Sequence, residues 1–330
     1  MKILVTGGAG FIGSNFIRHI LQTYPTYEII NLDLLTYAGN LENLKDLENN
    51  QRYNFVKGDI CDVGVVDELV KKVDTIVHFA AESHVDRSIL DSRAFIQTNV
   101  IGTHTLLEAA RKAGNKRFHH VSTDEVFGSL GFQDAPFCET TSYDPRSPYS
   151  ASKAGSDHLV RSYFHTYNLP VTISNCSNNY GPYHFPEKLI PLLITNLIQN
   201  KKIPIYGDGL NVRDWLFVRD HCKAIDKIIH KGKIGETYCV GGNCEKTNLE
   251  IAEKILNLLG KKTEMIEYVE DRKGHDKRYA INFSKIKNEL DWEPEVSFEE
   301  GLAKTVTWFV ANETWWKNIQ SGEYKKYQQK

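Results

Sequence analysis

KILVTGGAGFIG, at residues 2–13, is a short apolar run followed directly by glycines at positions 7, 10 and 13. Apolar side chains then recur at helical spacing over residues 11–21, so the stretch predicts a strand, a tight turn and a helix. Glycine at these positions permits the turn, the close approach of a pyrophosphate and close helix–strand packing, and the helix N-terminus offers free N–H groups to an anion. We therefore expect a dinucleotide site that includes Gly7, Gly10, Phe11, Ile12 and Gly13.

Asp33 supports the same interpretation. It ends a second apolar run, at residues 28–32, about twenty residues after the last glycine, where an acid can bind the ribose diol of a dinucleotide. Its charge would repel a 2′-phosphate, which favours NAD over NADP. Leu34, Leu35 and Thr36 follow it and are expected to border the cofactor.

Further strands and helices alternate through the first half of the chain. Strands are expected at residues 53–56, 75–81, 116–121 and 171–174, and helices at 65–73, 99–113 and 149–167. This alternation predicts an α/β fold with a doubly wound, parallel Rossmann-type sheet, in which ligands bind at the carboxyl ends of the strands. Residues expected at those ends are Gly7, Asp33, Asp59, Ala80, Ala81 and Thr123.

The pattern changes after residue 178, where prolines punctuate the chain and strands become short. We predict an NAD-binding domain at residues 1–177, to which residues 215–241 return. A smaller substrate-binding lobe is predicted from residues 178–214 and 242–330. The 330 residues are enough for one large domain or two modest ones.

Composition excludes several classes of partner. The 42 acidic and 40 basic residues nearly balance, which gives no electrostatic reason to expect nucleic acid or a membrane surface. The six cysteines are scattered without metal-type spacing, so reduced thiols and no metal are expected. The first strand begins at once and no apolar run could span a bilayer, so we expect a cytoplasmic protein.

Two sets of proton-transfer groups lie close together in the sequence. Tyr149 and Lys153 are four residues apart on a predicted helix and share one face, so the ammonium could lower the pKa of the phenol and make it a base. Asp124 and Glu125, with Thr123 before them, follow a predicted buried strand and add a second acid and base. Oxidation of an alcohol needs the first set, whereas oxidation combined with elimination needs both.

With these residues in place, the chain resembles the extended short-chain dehydrogenase/reductase family, and in particular its nucleotide-sugar 4,6-dehydratases. The resemblance runs from residue 1 to about residue 308. Besides the glycine turn, it is carried by LTYAGN at 35–40, AAESHVDRS at 80–88, STDEV at 122–126, SNNYGPY at 177–183 and DRKGHD at 271–276.

The resemblance implies a homodimer that acts on a nucleotide sugar, dTDP-glucose, with tightly bound NAD. It implies that Tyr149 takes the C4 hydroxyl proton, Glu125 takes the C5 proton and Asp124 protonates the departing C6 hydroxyl. Cofactor contacts are implied for Asp59, Ile60, Phe79, Ala80, Ala81, Ser83, Thr98, Tyr149, Lys153 and Asn179. Substrate contacts are implied for Ser83, Thr123, Asn178, Lys188, Leu189, Pro204, Tyr206, Arg213, Asn248, Asp271 and His275.

Two other functions remain open at this stage. A nucleotide-sugar 4-epimerase would use Tyr149 and NAD but would have no need for Asp124 and Glu125. A catalytically silent NAD-binding protein would be expected to have lost Tyr149 or Lys153, and both are present. The sequence does not distinguish a thymine from a uracil nucleotide, which differ by one methyl group.

Overall fold

The computed structural model describes residues 1–271 and 275–322 of the chain. Within them, seven parallel strands form the main sheet in the order β10-β6-β5-β4-β1-β2-β3. The strands of the described residues are β1 Lys2–Thr6, β2 Glu28–Asp33, β3 Tyr53–Lys57, β4 Thr75–His78, β5 Arg117–Thr123, β6 Val171–Cys176, β7 Asn178–Tyr180, β8 Ile203–Tyr206, β9 Val212–Phe217, β10 Thr237–Val240, β11 Glu245–Thr247 and β12 Ile266–Val269.

Helices cover both faces of this sheet, and further helices pack together in the C-terminal half of the chain. The α-helices are α1 Phe11–Thr23, α2 Val63–Val70, α3 Val85–Leu90, α4 Arg93–Phe95, α5 Thr103–Lys112, α6 Pro148–Tyr167, α7 Leu189–Ile198, α8 Val218–Lys231, α9 Asn248–Leu258, α10 Ser284–Leu290, α11 Phe298–Ala311 and α12 Glu313–Ser321. A π-helical segment spans Ile96–Gly102, and 3₁₀ turns span Leu41–Leu47, Asp124–Phe127 and Thr263–Met265. In the described part of the chain, no helix combines the length and apolar character that a membrane span requires.

The apolar strands are buried because successive side chains point to opposite faces of the sheet. In β1, Ile3 and Val5 pack in one core with residues of α1 and α8. Leu4, between them, packs in the other core with residues of α2, α5 and α6. Burial on both faces explains why these strands read as continuous apolar runs. The predicted doubly wound, parallel Rossmann-type sheet is confirmed.

The strand order fixes the position of a crevice. Strands β1, β2 and β3 follow one another toward one edge of the sheet, whereas β4, β5 and β6 follow one another toward the other edge. The strand order therefore reverses between β1 and β4, which are neighbours although two strands separate them in sequence. In open α/β sheets, ligands bind outside the carboxyl ends of the strands at such a point. The glycine turn follows β1 and Ala80 follows β4, so both border this crevice.

The second half of the chain adds two small sheets, β11-β9-β7 and β12-β8, and a separate core. Side chains of α7, α9, α11 and α12 meet in this core, among them Ile194, Ile255, Phe309 and Trp316. Strand β10 returns to the main sheet beside β6. The division into an NAD-binding domain and a substrate-binding lobe stays a prediction, and residues 272–274 and 323–330 of the predicted lobe lie outside the described residues.

Two predicted boundaries are corrected. The strand predicted at 75–81 ends at His78, and the helix predicted at 99–113 is π-helical up to Gly102 before α5 begins. Asn99 explains both changes: its side chain bonds the backbone N–H and C=O of Glu82, at 2.9 and 3.0 Å, and its amide also donates to Ser152. The chain after β4 therefore leaves the sheet to meet the helix. In the first half of the chain, helices α3 and α4 were not predicted.

Candidate active site

A cavity of ≈ 490 Å³ opens at the carboxyl ends of β1, β2, β4 and β5 and extends toward the C-terminal half of the chain. It gathers most of the residues proposed from the sequence, although they come from segments far apart. The proposed residues that line it are Gly7, Gly10, Phe11, Ile12, Gly13, Asp33, Leu34, Thr36, Asp59, Ile60, Phe79, Ala80, Ala81, Ser83, Thr98, Thr123, Asp124, Glu125, Tyr149, Lys153, Asn178, Asn179, Lys188, Leu189, Pro204, Tyr206, Arg213, Asn248 and His275.

Two proposed residues lie outside this lining among the described residues. Leu35 adopts a positive φ of 59° and donates its N–H to Asp33 Oδ1 at 2.8 Å. This hydrogen bond helps to fix the position of the Asp33 carboxylate. Asp271 bonds His275 Nδ1 through its Oδ1 at 2.6 Å, and only the histidine reaches the cavity. Residues 272–274 of the same predicted loop lie outside the described residues.

The glycine turn has the shape that a dinucleotide needs. Gly7 has a φ of +71°, and a Cβ there would lie 2.6 Å from the backbone N of Ala80. A Cβ on Gly13 would lie 2.4 Å from Gly7 O, so α1 could not pack this closely on the turn. A Cβ on Gly10 would meet only Gly7 O, at 3.2 Å, which leaves this glycine facing the cavity. The turn therefore fits a pyrophosphate at the N-terminus of α1.

Asp33 is held rigidly at the edge of the same cavity. Its Oδ2 accepts the N–H of Ala9 at 2.9 Å, and its Oδ1 accepts that of Leu35. Burial raises its pKa, while these two hydrogen bonds act in the opposite direction. Each carboxylate oxygen has a second lone pair that can accept from a ribose hydroxyl.

The two adjacent acids begin a 3₁₀ turn at the end of β5. Thr123 caps this turn: its Oγ1 accepts the Glu125 N–H at 3.2 Å and donates to Asp124 Oδ1 at 3.3 Å. Asp124 is buried, and its Oδ2 has no hydrogen-bond partner among the described residues. Burial, followed by the charge of Glu125, raises the pKa of Asp124 well above its usual range. The structure therefore favours the protonated form of Asp124.

Tyr149 and Lys153 lie in the first turns of α6, which starts sharply. Ser147 and Ser150 form a capping box there, and Pro148 occupies the first position of the helix. Burial raises the pKa of Tyr149 well above 10, and the charge of Glu125 adds to this effect. Burial also lowers the pKa of Lys153 to about 8.

The expectation that Lys153 lowers the pKa of Tyr149 is therefore not met in the protein alone. Lys153 Nζ donates to the Val121 carbonyl at 2.9 Å and lies 3.4 Å from His120 Nε2. Among the described residues, the structure gives no hydrogen bond between this ammonium and the Tyr149 hydroxyl. Burial of the phenol is the largest effect on its pKa.

The far side of the cavity is polar and partly aromatic. Lys188 Nζ donates to the Ser83 carbonyl at 3.1 Å and thereby connects the N-terminus of α7 with the loop after β4. The buried Arg213 donates to Val212 O at 2.7 Å and stacks over the Tyr279 ring at 4.4 Å. Asn248 Oδ1 is buried without a partner in the described structure, as expected of a group that binds a ligand.

Sequence reasoning missed several lining residues. Three of them, Tyr37, Glu82 and Ser177, lie in stretches that carry the family resemblance but were not proposed as site residues. The others carry no motif, and the fold alone brings them to the cavity: Cys176, His184, Phe185, Glu187, Trp215 and Tyr279. Arg87 does not line the cavity but bonds Glu187, with Nη2 2.9 Å from Oε2, and stacks over Tyr37. His84 lines the cavity and lies 3.7 Å from the same carboxylate. Among the described residues, no group of His, Cys, Asp and Glu side chains is arranged for a metal ion.

Comparison with known proteins agrees with this site. Residues 4–305 match the family model described as GDP-mannose 4,6 dehydratase. The chain is 54% identical over 342 residues to dTDP-glucose 4,6-dehydratase of Xanthomonas campestris pv. campestris, with 98% of this chain and 97% of the relative covered. It is 52% identical to the enzyme of the same name from Salmonella typhimurium, with 99% and 98% covered.

Solved structures give the same result. A dTDP-glucose 4,6-dehydratase from Bacillus anthracis in complex with NAD is 55% identical, with a TM-score of 0.91 and coverage of 97% and 99%. A UDP-glucose 4-epimerase from Thermotoga maritima shares the fold, with a TM-score of 0.88 and coverage of 95% and 100%, but is only 30% identical. The resemblance inferred from the motifs is confirmed: the chain belongs to the dTDP-glucose 4,6-dehydratases, within the family that the GDP-mannose 4,6 dehydratase model describes.

Proposed function

We propose that the protein converts dTDP-glucose into dTDP-4-keto-6-deoxyglucose by oxidation at C4, loss of water across C5–C6 and reduction at C6. One observation carries this proposal: Asp124 and Glu125 border the same cavity as Tyr149 and Lys153. A 4-epimerase would have no use for the first pair, whereas elimination needs an acid and a base beside the oxidised sugar.

NAD is the cofactor, and the residues present fit it. The turn at Gly7, Gly10 and Gly13 would hold the pyrophosphate, and Asp33 would hold the adenosine ribose. NAD would supply the hydride acceptor for the oxidation at C4 and the hydride donor for the reduction at C6. Exchange of the cofactor would waste the intermediate, so we expect the protein to purify with NAD already bound.

The chain's own groups move the protons. As a phenolate, Tyr149 takes the proton of the C4 hydroxyl while the hydride leaves C4, and the resulting ketone acidifies the C5 proton. The charges of the Lys153 ammonium and of the nicotinamide would favour the phenolate over the neutral phenol that burial favours in the protein alone. Glu125 abstracts that proton, while Asp124 donates its own to the C6 hydroxyl, which leaves as water. Return of the C5 proton from Glu125 completes the product. Loss of the proton gained by Tyr149 to solvent and uptake of one by Asp124 restore both groups for the next turnover. The raised pKa of Asp124 suits a donor, because a carboxyl must hold its proton until the hydroxyl departs.

The nucleotide end of the substrate is assigned to the C-terminal side of the cavity. The Arg213 guanidinium can bind two phosphate oxygens at once, and Lys188 adds a second positive charge. Tyr206, 40% exposed, offers a ring face to the base, and Pro204 lies on the same strand, β8. Asn248 and His275 would complete this end of the site.

A product assay tests the proposal. The purified protein is incubated separately with dTDP-glucose and UDP-glucose, and the products are analysed by mass spectrometry. We expect a 4-keto product that has lost one water, formed preferentially from dTDP-glucose. A product of unchanged mass with an inverted C4 would identify a 4-epimerase, and no product from either sugar would favour a silent NAD-binding protein.

We further propose a cytoplasmic homodimer. Exposed apolar side chains cluster on α3 and the π-helical segment, beside α6: Leu90 is 87% exposed, Ile89 53%, Ile96 48% and Ile101 43%. A second copy of the chain could bury these side chains together with the exposed faces of α5 and α6 in a helix bundle.

A further inference from the structure

A buried group of polar side chains lies next to Lys153, outside the cavity lining. His120, from β5, is fully buried, and its Nε2 lies 3.4 Å from Lys153 Nζ and 3.1 Å from Asp157 Oδ1. Ser156 Oγ is 3.2 Å from the same nitrogen. The Lys153 ammonium, the His120 imidazole and the Asp157 carboxylate are thus neighbours in that order, and the side chains of His120 and Asp157 are fully buried.

Asp157 is built to remain ionised. Its Oδ2 accepts hydrogen bonds from Tyr143 Oη at 2.7 Å, Ser122 Oγ at 2.9 Å and Asn175 Nδ2 at 3.2 Å. Burial alone would raise its pKa, but the contact with His120, the charge of Lys153 and these donors outweigh burial, so the pKa lies below its usual range. A carboxylate with several donors keeps its charge even when it is buried.

The other groups that face Lys153 do not supply a compensating charge. His120 is neutral near pH 7, because burial lowers its pKa to about 4. His78, on β4, is buried with a pKa lowered well below 6.5. Cys176, on β6, has a pKa raised to about 12 by burial, and burial keeps Tyr149 protonated as well. Asp157 is therefore the anion that favours the ammonium form of Lys153.

Asp157 and Lys153 form no direct ion pair within 4.0 Å in the described structure, because the His120 ring lies between them. A direct ion pair would draw the ammonium away from the cavity and satisfy its N–H groups. With a neutral ring in between, the carboxylate still acts on the ammonium electrostatically, while Lys153 keeps its place on the cavity lining.

We propose that Asp157 is a positioning residue that holds Lys153 as an ammonium facing the cavity, with His120 as the neutral spacer between them. The inference rests on the proposed function only in that the ammonium serves the oxidation step. The charge of the ammonium would favour removal of the C4 hydroxyl proton by the neighbouring Tyr149. Neither Asp157 nor His120 lines the cavity, so neither touches the substrate.

The first test measures the titration of Lys153 without using catalysis. The holoenzyme is treated with a trace of acetic anhydride at a series of pH values, and acetylation of Lys153 is quantified by mass spectrometry. In Asp157→Asn, which keeps the size and an acceptor for Tyr143, we expect the midpoint to fall by about one pH unit or more. Tyr143→Phe is the matched control, because it removes one hydrogen bond but keeps the charge, and its midpoint should stay within a few tenths of the wild-type value. An unchanged midpoint in Asp157→Asn would overturn the proposal.

A second variant keeps the proposal testable if Asp157→Asn does not give the wild-type circular dichroism spectrum. His120→Asn leaves the carboxylate in place but removes the ring, so Lys153 can approach it directly. We expect the acetylation midpoint to rise and C4 oxidation to slow at every pH. A midpoint that falls or stays the same would contradict the spacer role.

The catalytic readout uses the Glu125→Gln background, in which reduced cofactor is expected to accumulate after C4 oxidation. In Asp157→Asn/Glu125→Gln, the alkaline limb of this first step should move to lower pH in parallel with the acetylation midpoint. A purely structural role for Asp157 would slow the step equally at all pH values. If Glu125→Gln alone gives no reduced cofactor, the proposed function fails, while the acetylation titration still decides the role of Asp157.

Discussion

Thr123 Oγ1 accepts a hydrogen bond from the Glu125 backbone N at 3.2 Å, and this contact fixes the start of the turn that carries both acids. The same hydroxyl donates to Asp124 Oδ1. One side chain at the end of β5 thus orients two carboxyl groups that have different proposed roles. Asp124 is fully buried, whereas Glu125 is only half-buried. Their unequal environments are the physical basis for assigning one as acid and the other as base.

Glu125→Gln should separate oxidation from elimination. The amide keeps the size of the side chain but cannot take the C5 proton, so C4 oxidation should proceed and reduced cofactor should accumulate after one mixing with dTDP-glucose. Nicotinamide absorbance or fluorescence measures this directly, and turnover should fall at least about 10²-fold. Asp124→Asn should also slow water loss. Tyr149→Phe is the opposing control, because it blocks the first step and should give no reduced cofactor. Wild-type turnover by Glu125→Gln would refute the assignment.

The sequence predicted the parts of the site that carry local signals. The glycine turn and Asp33 have characteristic spacing along the chain, and Asp124–Glu125 follow a strand end that apolar periodicity could locate. His120 and Asp157 could not be found in this way, because they are 37 positions apart in the sequence and meet only when β5 packs against α6. Trp215 reaches the cavity from β9 of a small sheet, and Tyr279 lies outside the strands but bonds Val212 of β9 through its backbone N–H. Such short strands and loops give weak periodicity. The π-helical segment depends on the tertiary contact of Asn99 with Glu82, which no local pattern encodes.

Gly7→Ala should cost the protein its bound cofactor. A Cβ at this position would lie 2.6 Å from the backbone of Ala80, so the turn and the segment that follows β4 cannot both keep their places. Gly114→Ala is a matched control, because Gly114 also has a positive φ, of +90°, but a Cβ there meets nothing within 4 Å. In both variants, the left-handed backbone conformation of the new alanine should lower the free energy of unfolding by about 1 kcal/mol. Dinucleotide released by heat and quantified by chromatography should be lost only in Gly7→Ala. Equal retention in the two variants would contradict the proposed pyrophosphate site.

Ile101→Glu should dissociate the proposed dimer. Ile101 is 43% exposed in the isolated chain, next to the exposed Ile96, and a buried carboxylate without a partner would be costly at an apolar interface. Phe132→Glu is the control: Phe132 is 61% exposed but lies in a loop outside this cluster. Light scattering at micromolar concentration should report a dimer for the wild type and Phe132→Glu, and a monomer for Ile101→Glu. A monomeric wild type would refute the dimer itself.

Stability should fall as the solution becomes acidic, because several histidines are buried in the neutral form. Burial lowers the pKa of His120 to about 4, and of His184 and His221 to about 3, while His119 lies well below 6.5. The unfolded chain binds protons at these sites below about pH 6.5, whereas the folded chain does not, so their contribution is fully present above that pH and is lost as the pH falls toward the folded values. At pH 5.5 each such histidine should reduce the free energy of unfolding by about 1.4 kcal/mol relative to neutral pH.

Asp124, Asp214 and His230 oppose part of this trend, because the pKa of each is raised, that of Asp214 to about 6, and such a contribution is lost as the pH rises. The four buried histidines outnumber these three groups, so the net slope should keep the sign of the histidines. Urea unfolding of the wild type at pH 7.5 and 5.5 measures this slope. His119→Asn should reduce the difference in the free energy of unfolding between the two pH values by about the contribution of one histidine. It also breaks contacts with Thr172 and Ser174, and their loss should lower stability at both pH values. His165→Asn, at an exposed position, is the control for replacement of a histidine outside the core. Equal stability of the wild type at the two pH values would show that these rings are not buried in the neutral form.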